Sequence, residues 1–433
     1  MERRTIALFC TLAFTFWLFA LCVHSSNMQV ATVSTTQDAL AQSSESAQQS
    51  SDAILLTALA DSLAADATLS NITLPEMPTL SLACSAAVLI DQSTGTILYA
   101  YNADEQRAVA SITKVMTLLL TFEAIQAGEI SLSDTVPISS HAFSMGGSQI
   151  WLEPGEVFTL EELIKAVCVS SANDAAVAIA EYVGGSEEAF VGMMNARAAE
   201  LGLENTIYQN ACGLDEENHL SSARDVAVLS CYILEHCPEV LTYTGIWTDT
   251  LRDGATYLTN TNKLLNYYEG ITGLKTGTTG DAGICISASA TRDGLSLVAV
   301  VLGSSSSSDR FHSAITMLDY GFATFEAAAV PQSAGAPATQ FVKGGAVETV
   351  ALDYSAVPAT LLLEKGGGSA LRTEVLLYDD VTAPLTVGTQ LGEVQLYSED
   401  TLLAQYPIAA SENVEKLTVT GAMQALWLNL CTG

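Results

Sequence analysis

Three observations predict an α/β domain, with helices packed on an antiparallel sheet, followed by a small all-β domain. Strand-length apolar runs lie at both ends of the segment from about 83 to 322, and long apolar helical runs lie between them. The last two of these strands are separated by Arg292-Asp293-Gly294, a strong hairpin signal. Past Phe322 the texture changes to short candidate strands broken by turn residues such as Gly366-Gly367-Gly368. A chain of 433 residues is also too long for one ordinary core, so two domains are expected.

The elements follow in order. Glu2-Arg3-Arg4 precedes an apolar run over 6–23, so residues 1–25 read as a signal peptide. The run is long for that role, and an uncleaved anchor is the alternative. Residues 26–80 are rich in Ser, Thr, Ala and Gln and read as a flexible linker, with a helix over 52–65 as an option within it. Residues 81–325 form the larger domain. Its first hairpin joins 86–90 to 96–100 through the turn at 91–95. A mostly buried helix is expected over 115–127, stopped by Gly128, and two more over 160–169 and 174–182, the last ending at Gly184-Gly185. Strands 283–290 and 295–301 close the domain. Residues 327–339 read as a linker, 338–411 as the all-β domain, and 412–433 as a tail. The tail is apolar over 419–430 but has no basic face.

Composition narrows the function classes. A formal charge of −32 argues against nucleic acid and against electrostatic docking on anionic lipid. Either terminus remains a candidate for membrane association. The nine cysteines are scattered and do not form a disulfide framework; buried small hydrophobes is the simpler reading. Cys231, His236 and Cys237 lack zinc-ligand spacing, so neither a metal nor a cofactor is expected.

Three motifs carry the chemistry. Ser111 and Lys114 are three apart, which puts both on one face of a helix. A serine hydroxyl needs a base, and a lysine made neutral by desolvation can serve. Ser171 can relay a proton, and Asn173 can hold the lysine and a substrate carbonyl. Lys275, Thr276 and Gly277, if on an edge strand, offer a substrate carboxylate a charge and a hydroxyl, and leave room for its backbone. The Thr278 N–H can join that of Ser111 in an oxyanion hole. Alone, each motif is better explained by a helix cap or a glycine-rich turn.

In this order the motifs resemble the machinery of penicillin-binding proteins and serine β-lactamases. Residues 102–107, 110–117, 171–176, 222–225, 259–262, 273–277 and 319–322 further resemble the D-alanyl-D-alanine carboxypeptidases, the low-molecular-mass penicillin-binding proteins. The resemblance implies a β-lactamase/transpeptidase-like domain followed by a β-sandwich-like one. It implies a serine carboxypeptidase that removes the terminal D-alanine from peptidoglycan stem pentapeptides through an acyl-enzyme, with β-lactam antibiotics as further ligands. The N-terminal signal or anchor is expected to place the bulk of the chain outside the cytoplasmic membrane, at the cell wall, and the resemblance implies a role for Arg310 in binding the substrate's terminal carboxylate. One departure is Thr272, where the family often has an acidic residue. A serine β-lactamase is the rival, but Glu204-Asn205 lacks the spacing its deacylating glutamate needs. A catalytically silent wall-binding protein is the other alternative; intact motifs speak against it.

Overall fold

The computed structural model describes residues 76–332, 335–420 and 423. The expected signal or anchor, almost all of the 26–80 linker and most of the tail lie outside the described residues. Among the described residues no helix is long and apolar enough to cross a membrane.

The sheet of the larger domain is built from β1 (Ala86–Asp91), β2 (Ile97–Tyr101), β3 (Ile271–Thr279), β4 (Gly283–Arg292) and β5 (Leu295–Ser304). Its order is β2-β1-β5-β4-β3, and every neighbour is antiparallel. The two ends of the domain therefore meet, with Ala86 opposite Leu302 and Asp91 opposite Leu297. The hairpin expected at Asp293-Gly294 forms, and both residues have positive φ.

Alternation along the strands explains why both faces are apolar. Ala87 and Leu89 of β1, with Ala288, Leu297, Ala299 and Val301, form one cluster with Phe311, Ala314, Met317 and Leu318. Those last four belong to α6 (Ser307–Thr324). The other face meets α5 (Ala223–His236), where Ser230 and Ser287 share a 2.8 Å hydrogen bond.

Four longer helices also stand between β2 and β3 in sequence. They are α1 (Lys114–Gln126), α2 (Leu160–Ser170), α3 (Asn173–Gly184) and α4 (Glu187–Glu200). Helix α1 is buried nearly all round, in keeping with its largely apolar sequence. Helix α2 starts at a capping box, in which Thr159 and Glu162 satisfy each other's backbone N–H groups. Helix α3 stops at Gly185 in the left-handed region.

The second domain has a five-stranded antiparallel sheet and a two-stranded ribbon. The ribbon corrects one expectation. Residues 327–329 read as linker, yet Phe325–Ala329 is a strand paired with Thr360–Glu364. Composition misled here because alanines carry little strand propensity; Phe325 and Ala328 are nonetheless buried. Lys365 donates from its backbone to the Thr324 carbonyl and from Nζ to the Phe322 carbonyl, which ties the ribbon to the end of α6.

Candidate active site

Ser111 lies in a turn of 3-10 helix, Ala110–Thr113, that leads directly into α1. Two glycines let backbone crowd this turn. A Cβ on Gly213 would fall 2.0 Å from the Ala110 carbonyl oxygen, and one on Gly277 would fall 2.8 Å from that of Val109 and 3.0 Å from the Ser111 nitrogen. The expectation for Gly277 is therefore corrected. The space its missing side chain leaves is filled by the protein's own Ser111 turn, which packs against β3.

Lys114 is fully buried. Its Nζ donates to Ser111 Oγ at 2.9 Å, Asn173 Oδ1 at 2.7 Å and the Cys212 carbonyl at 2.6 Å. Burial pulls its pKa down to about 8, against the opposing pull of the Cys212 thiol and Asp174. A neutral amine has two hydrogens and one lone pair. Asn173 Oδ1 and the Cys212 carbonyl can only accept, so Ser111 is the one partner with a proton to give. The amide orientation of Asn173 follows from its Nδ2, which donates to the Gly146 carbonyl at 2.7 Å.

Ser171 caps the end of α2 in the left-handed conformation, φ 62°. That turn brings its Oγ to Lys275 Nζ, which donates to it at 2.8 Å and also to the Thr276 carbonyl at 2.8 Å. Lys275 is itself buried. Burial, then the charge of Lys114, holds its pKa well below the ordinary lysine value. The expected edge strand is found, since β3 is the last strand of the sheet. Lys275 points inward to Ser171 rather than standing exposed.

Thr276 Oγ1 donates to Thr261 Oγ1 at 2.7 Å, and Asn262 Nδ2 donates to the Gly273 carbonyl at 2.9 Å. The 259–262 segment thus braces β3. Thr278 is exposed on the same strand, its hydroxyl turned back to the Gly277 carbonyl. Thr272, the departure noted above, shares a 2.7 Å hydrogen bond with Ser289 Oγ.

Arg310 is buried in the first turn of α6. It donates to the Cys285 carbonyl and to Ser307 Oγ, both at 3.2 Å. Its Nε has no partner among the described residues. Burial lowers its pKa to about 10, and its charge in turn acts on Lys275.

Sequence reasoning missed the segment that closes the site from below. Asn210 Oδ1 accepts from the N–H groups of Cys212, Gly213 and Leu214, a side-chain-built turn that presents the Cys212 carbonyl to Lys114. The Asn-Ala-Cys-Gly pattern was the available signal. His219 braces the same segment, with Nε2 2.8 Å from Thr113 Oγ1 and Nδ1 accepting from the Gln209 N–H at 3.1 Å.

Comparison with known proteins shows the family. Residues 72–306 match the family described as D-alanyl-D-alanine carboxypeptidase, and 331–416 match the penicillin-binding protein 5 C-terminal domain. D-alanyl-D-alanine carboxypeptidase DacF of Bacillus subtilis is 41% identical over 335 residues, covering 76% of this chain and 86% of the relative. Penicillin binding protein 5 from Haemophilus influenzae superposes with a TM-score of 0.68 at 29% identity, over 78% of this chain and all of that one. Penicillin-binding protein D2 from Listeria monocytogenes, in its cefotaxime-bound form, gives 0.53 at 31% identity, over 57% of this chain and all of that one. A lysine that can deprotonate only a serine, a match spanning both domains and identity of this extent lead to one family: the chain belongs to the D-alanyl-D-alanine carboxypeptidases, the serine peptidases of the low-molecular-mass penicillin-binding proteins.

Proposed function

We propose that the protein removes the terminal D-alanine from peptidoglycan stem pentapeptides at the cell wall, with Ser111 as nucleophile and Lys114 as general base. The observation that carries the assignment is the hydrogen bonding of Lys114, whose lone pair has only the Ser111 hydroxyl to meet. Ser111 Oγ attacks the carbonyl of the penultimate residue, and its proton passes to Lys114 Nζ. The N–H groups of Ser111 and Thr278 hold the oxyanion. The intermediate collapses, the C–N bond breaks, and the departing amine takes a proton through Ser171, whose oxygen is held by Lys275. Water then hydrolyses the ester and returns Ser111 to its free form.

Asn173 keeps Lys114 in place throughout. Arg310, together with Lys275, supplies positive charge for the terminal carboxylate. A β-lactam acylates the same serine in this reading, which the cefotaxime-bound relative supports. Export through residues 1–25 accounts for the access to the wall. Glu204 is exposed, which favours a slowly deacylating carboxypeptidase over a β-lactamase.

The test is mass spectrometry after exposure to penicillin, alongside release of D-alanine from a pentapeptide. Ser111→Ala is expected to lose both the adduct and the release. An adduct on a different serine in that variant refutes the assignment. A wild-type adduct that hydrolyses within seconds makes the protein a β-lactamase instead. Fractionation of cells places the full-length chain inside or outside the cytoplasmic membrane.

A further inference from the structure

We propose that Arg252 is a positioning residue for the acylation step, locking the loop 146–152 against α3 so that Asn173 holds Lys114. Arg252 lies 79 residues beyond Asn173 in sequence, at the turn of a ribbon formed by Thr248–Leu251 and Thr256–Thr259. Its guanidinium grips Glu156 with two parallel bonds, Nε to Oε1 at 2.7 Å and Nη2 to Oε2 at 2.8 Å. The same group donates to the carbonyls of Ile150 at 2.8 Å and Trp151 at 3.0 Å, and to Thr256 Oγ1 at 2.8 Å. Its face lies over the Phe158 ring at 4.9 Å.

The loop is held from its other side by Asp174, the residue after Asn173. The buried Asp174 carboxylate accepts from the N–H groups of Ile150 at 3.1 Å and Leu152 at 3.0 Å. Trp151, between them, has φ 58° and is 73% exposed. A bulky aromatic does not choose the left-handed region, and its own side chain is not packed to hold it there. Arg252 and Asp174 hold it there by its backbone. Three residues upstream the loop reaches the catalytic groups. The Ser148 carbonyl accepts from the Asn173 N–H at 2.6 Å, and the Gly146 carbonyl accepts from Asn173 Nδ2 at 2.7 Å. Gly147 passes so close that a Cβ on it would fall 2.8 Å from that Nδ2. Asn173 Oδ1 then accepts from Lys114. One guanidinium therefore fixes the backbone that fixes the amide that fixes the base.

The test is the acylation rate with a fluorescent penicillin, measured from about pH 6 to about pH 11. Lys114 is faced by Ser111, Asn173 and the Cys212 carbonyl; Asp174, the Cys212 thiol, Lys275 and His219 also act on or feel its charge. In Arg252→Ala these groups stay, but water gains access to Lys114 and lifts it toward the ordinary lysine value. Acylation is expected to fall by about tenfold to a hundredfold near neutral pH. The acid limb moves to higher pH, so the deficit narrows in base. Arg252→Lys keeps the charge without the fork and recovers only part of the rate. Glu156→Gln, which leaves the loop sequence otherwise intact, gives the same shift in smaller measure and carries the test if Arg252→Ala does not fold. An unmoved limb, with a rate that is unchanged or lowered equally at every pH, overturns the proposal. The inference rests on Lys114 as the base. Loss of acylation in Lys114→Arg with normal acylation in Arg252→Ala overturns the clamp alone, whereas normal acylation in Lys114→Arg overturns the base.

Discussion

Acid is predicted to weaken the protein through His219. The ring is 3% exposed and satisfied only as the neutral Nε2–H tautomer, with Nε2 donating to Thr113 Oγ1 and Nδ1 accepting from Gln209. A second proton on Nδ1 would meet the Gln209 N–H head on. Burial pushes the pKa down to about 4; Asp215 opposes this and the Lys114 charge reinforces it. An unfolded histidine titrates near 6.5, so between about pH 6.5 and 4 the unfolded chain binds more protons. The stability from keeping this ring neutral is complete above about 6.5 and is lost as pH falls through about 4. A gap of about 2.5 units at about 1.4 kcal/mol each is worth about 3 kcal/mol. Denaturant unfolding of the wild type and His219→Gln, at steps from about pH 7.5 to about pH 4, measures it. The free-energy difference between the two is expected to shrink by about 3 kcal/mol toward the wild type's disadvantage across that window. A difference that stays constant refutes the reasoning, because it requires His219 to titrate alike in both states.

Two further outcomes follow from the site. Gly277→Ala puts a methyl group against the Val109 carbonyl and the Ser111 nitrogen, so penicillin labelling is expected to fall by about a hundredfold, more than D-alanyl peptide binding; unchanged labelling shows that the turn yields freely. Arg310→Ala is expected to lower kcat/KM for a peptide with a free terminal carboxylate more than for its amidated analogue; an equal loss on both assigns Arg310 to the fold.

What the sequence showed was the part of the site made of side chains whose chemistry is intrinsic. Ser111 and Lys114 announce themselves because a spacing of three on a helix brings them together whatever surrounds them. The edge position of β3 was a condition placed on the reading of Lys275 and not a deduction, since strand order is set by long-range pairing. The other acceptors of Lys114 divide on the same principle. Asn173 was foreseen, whereas the Cys212 carbonyl was not, since any residue at position 212 supplies that oxygen. The inward turn of Lys275 was hidden for a related reason. It depends on Ser171 adopting a left-handed conformation at the end of α2, and a serine gives no advance sign of that. Gly277 was read for the right property, its lack of a side chain, but assigned to the wrong neighbour.

The charges explain why such a site suits its substrate. The chain carries a net charge of −32, yet Lys114, Lys275 and Arg310 are all buried and none has a carboxylate within ion-pair distance among the described residues. With 48 acidic residues available, a fold selected for stability alone would pair them. Instead, burial and then the charge of Lys114 hold Lys275 well below its ordinary pKa, and burial holds Lys114 at about 8. In the proposed mechanism the lowered pKa of Lys114 serves proton abstraction, which needs the neutral amine. Lys275 and Arg310, in that mechanism, take their counter-ion from outside the protein. A D-alanyl peptide brings one in its terminal carboxylate. On that proposal the counter-ion is a group of the substrate, and the favourable energy of pairing is reserved for the complex in which Ser111 acts.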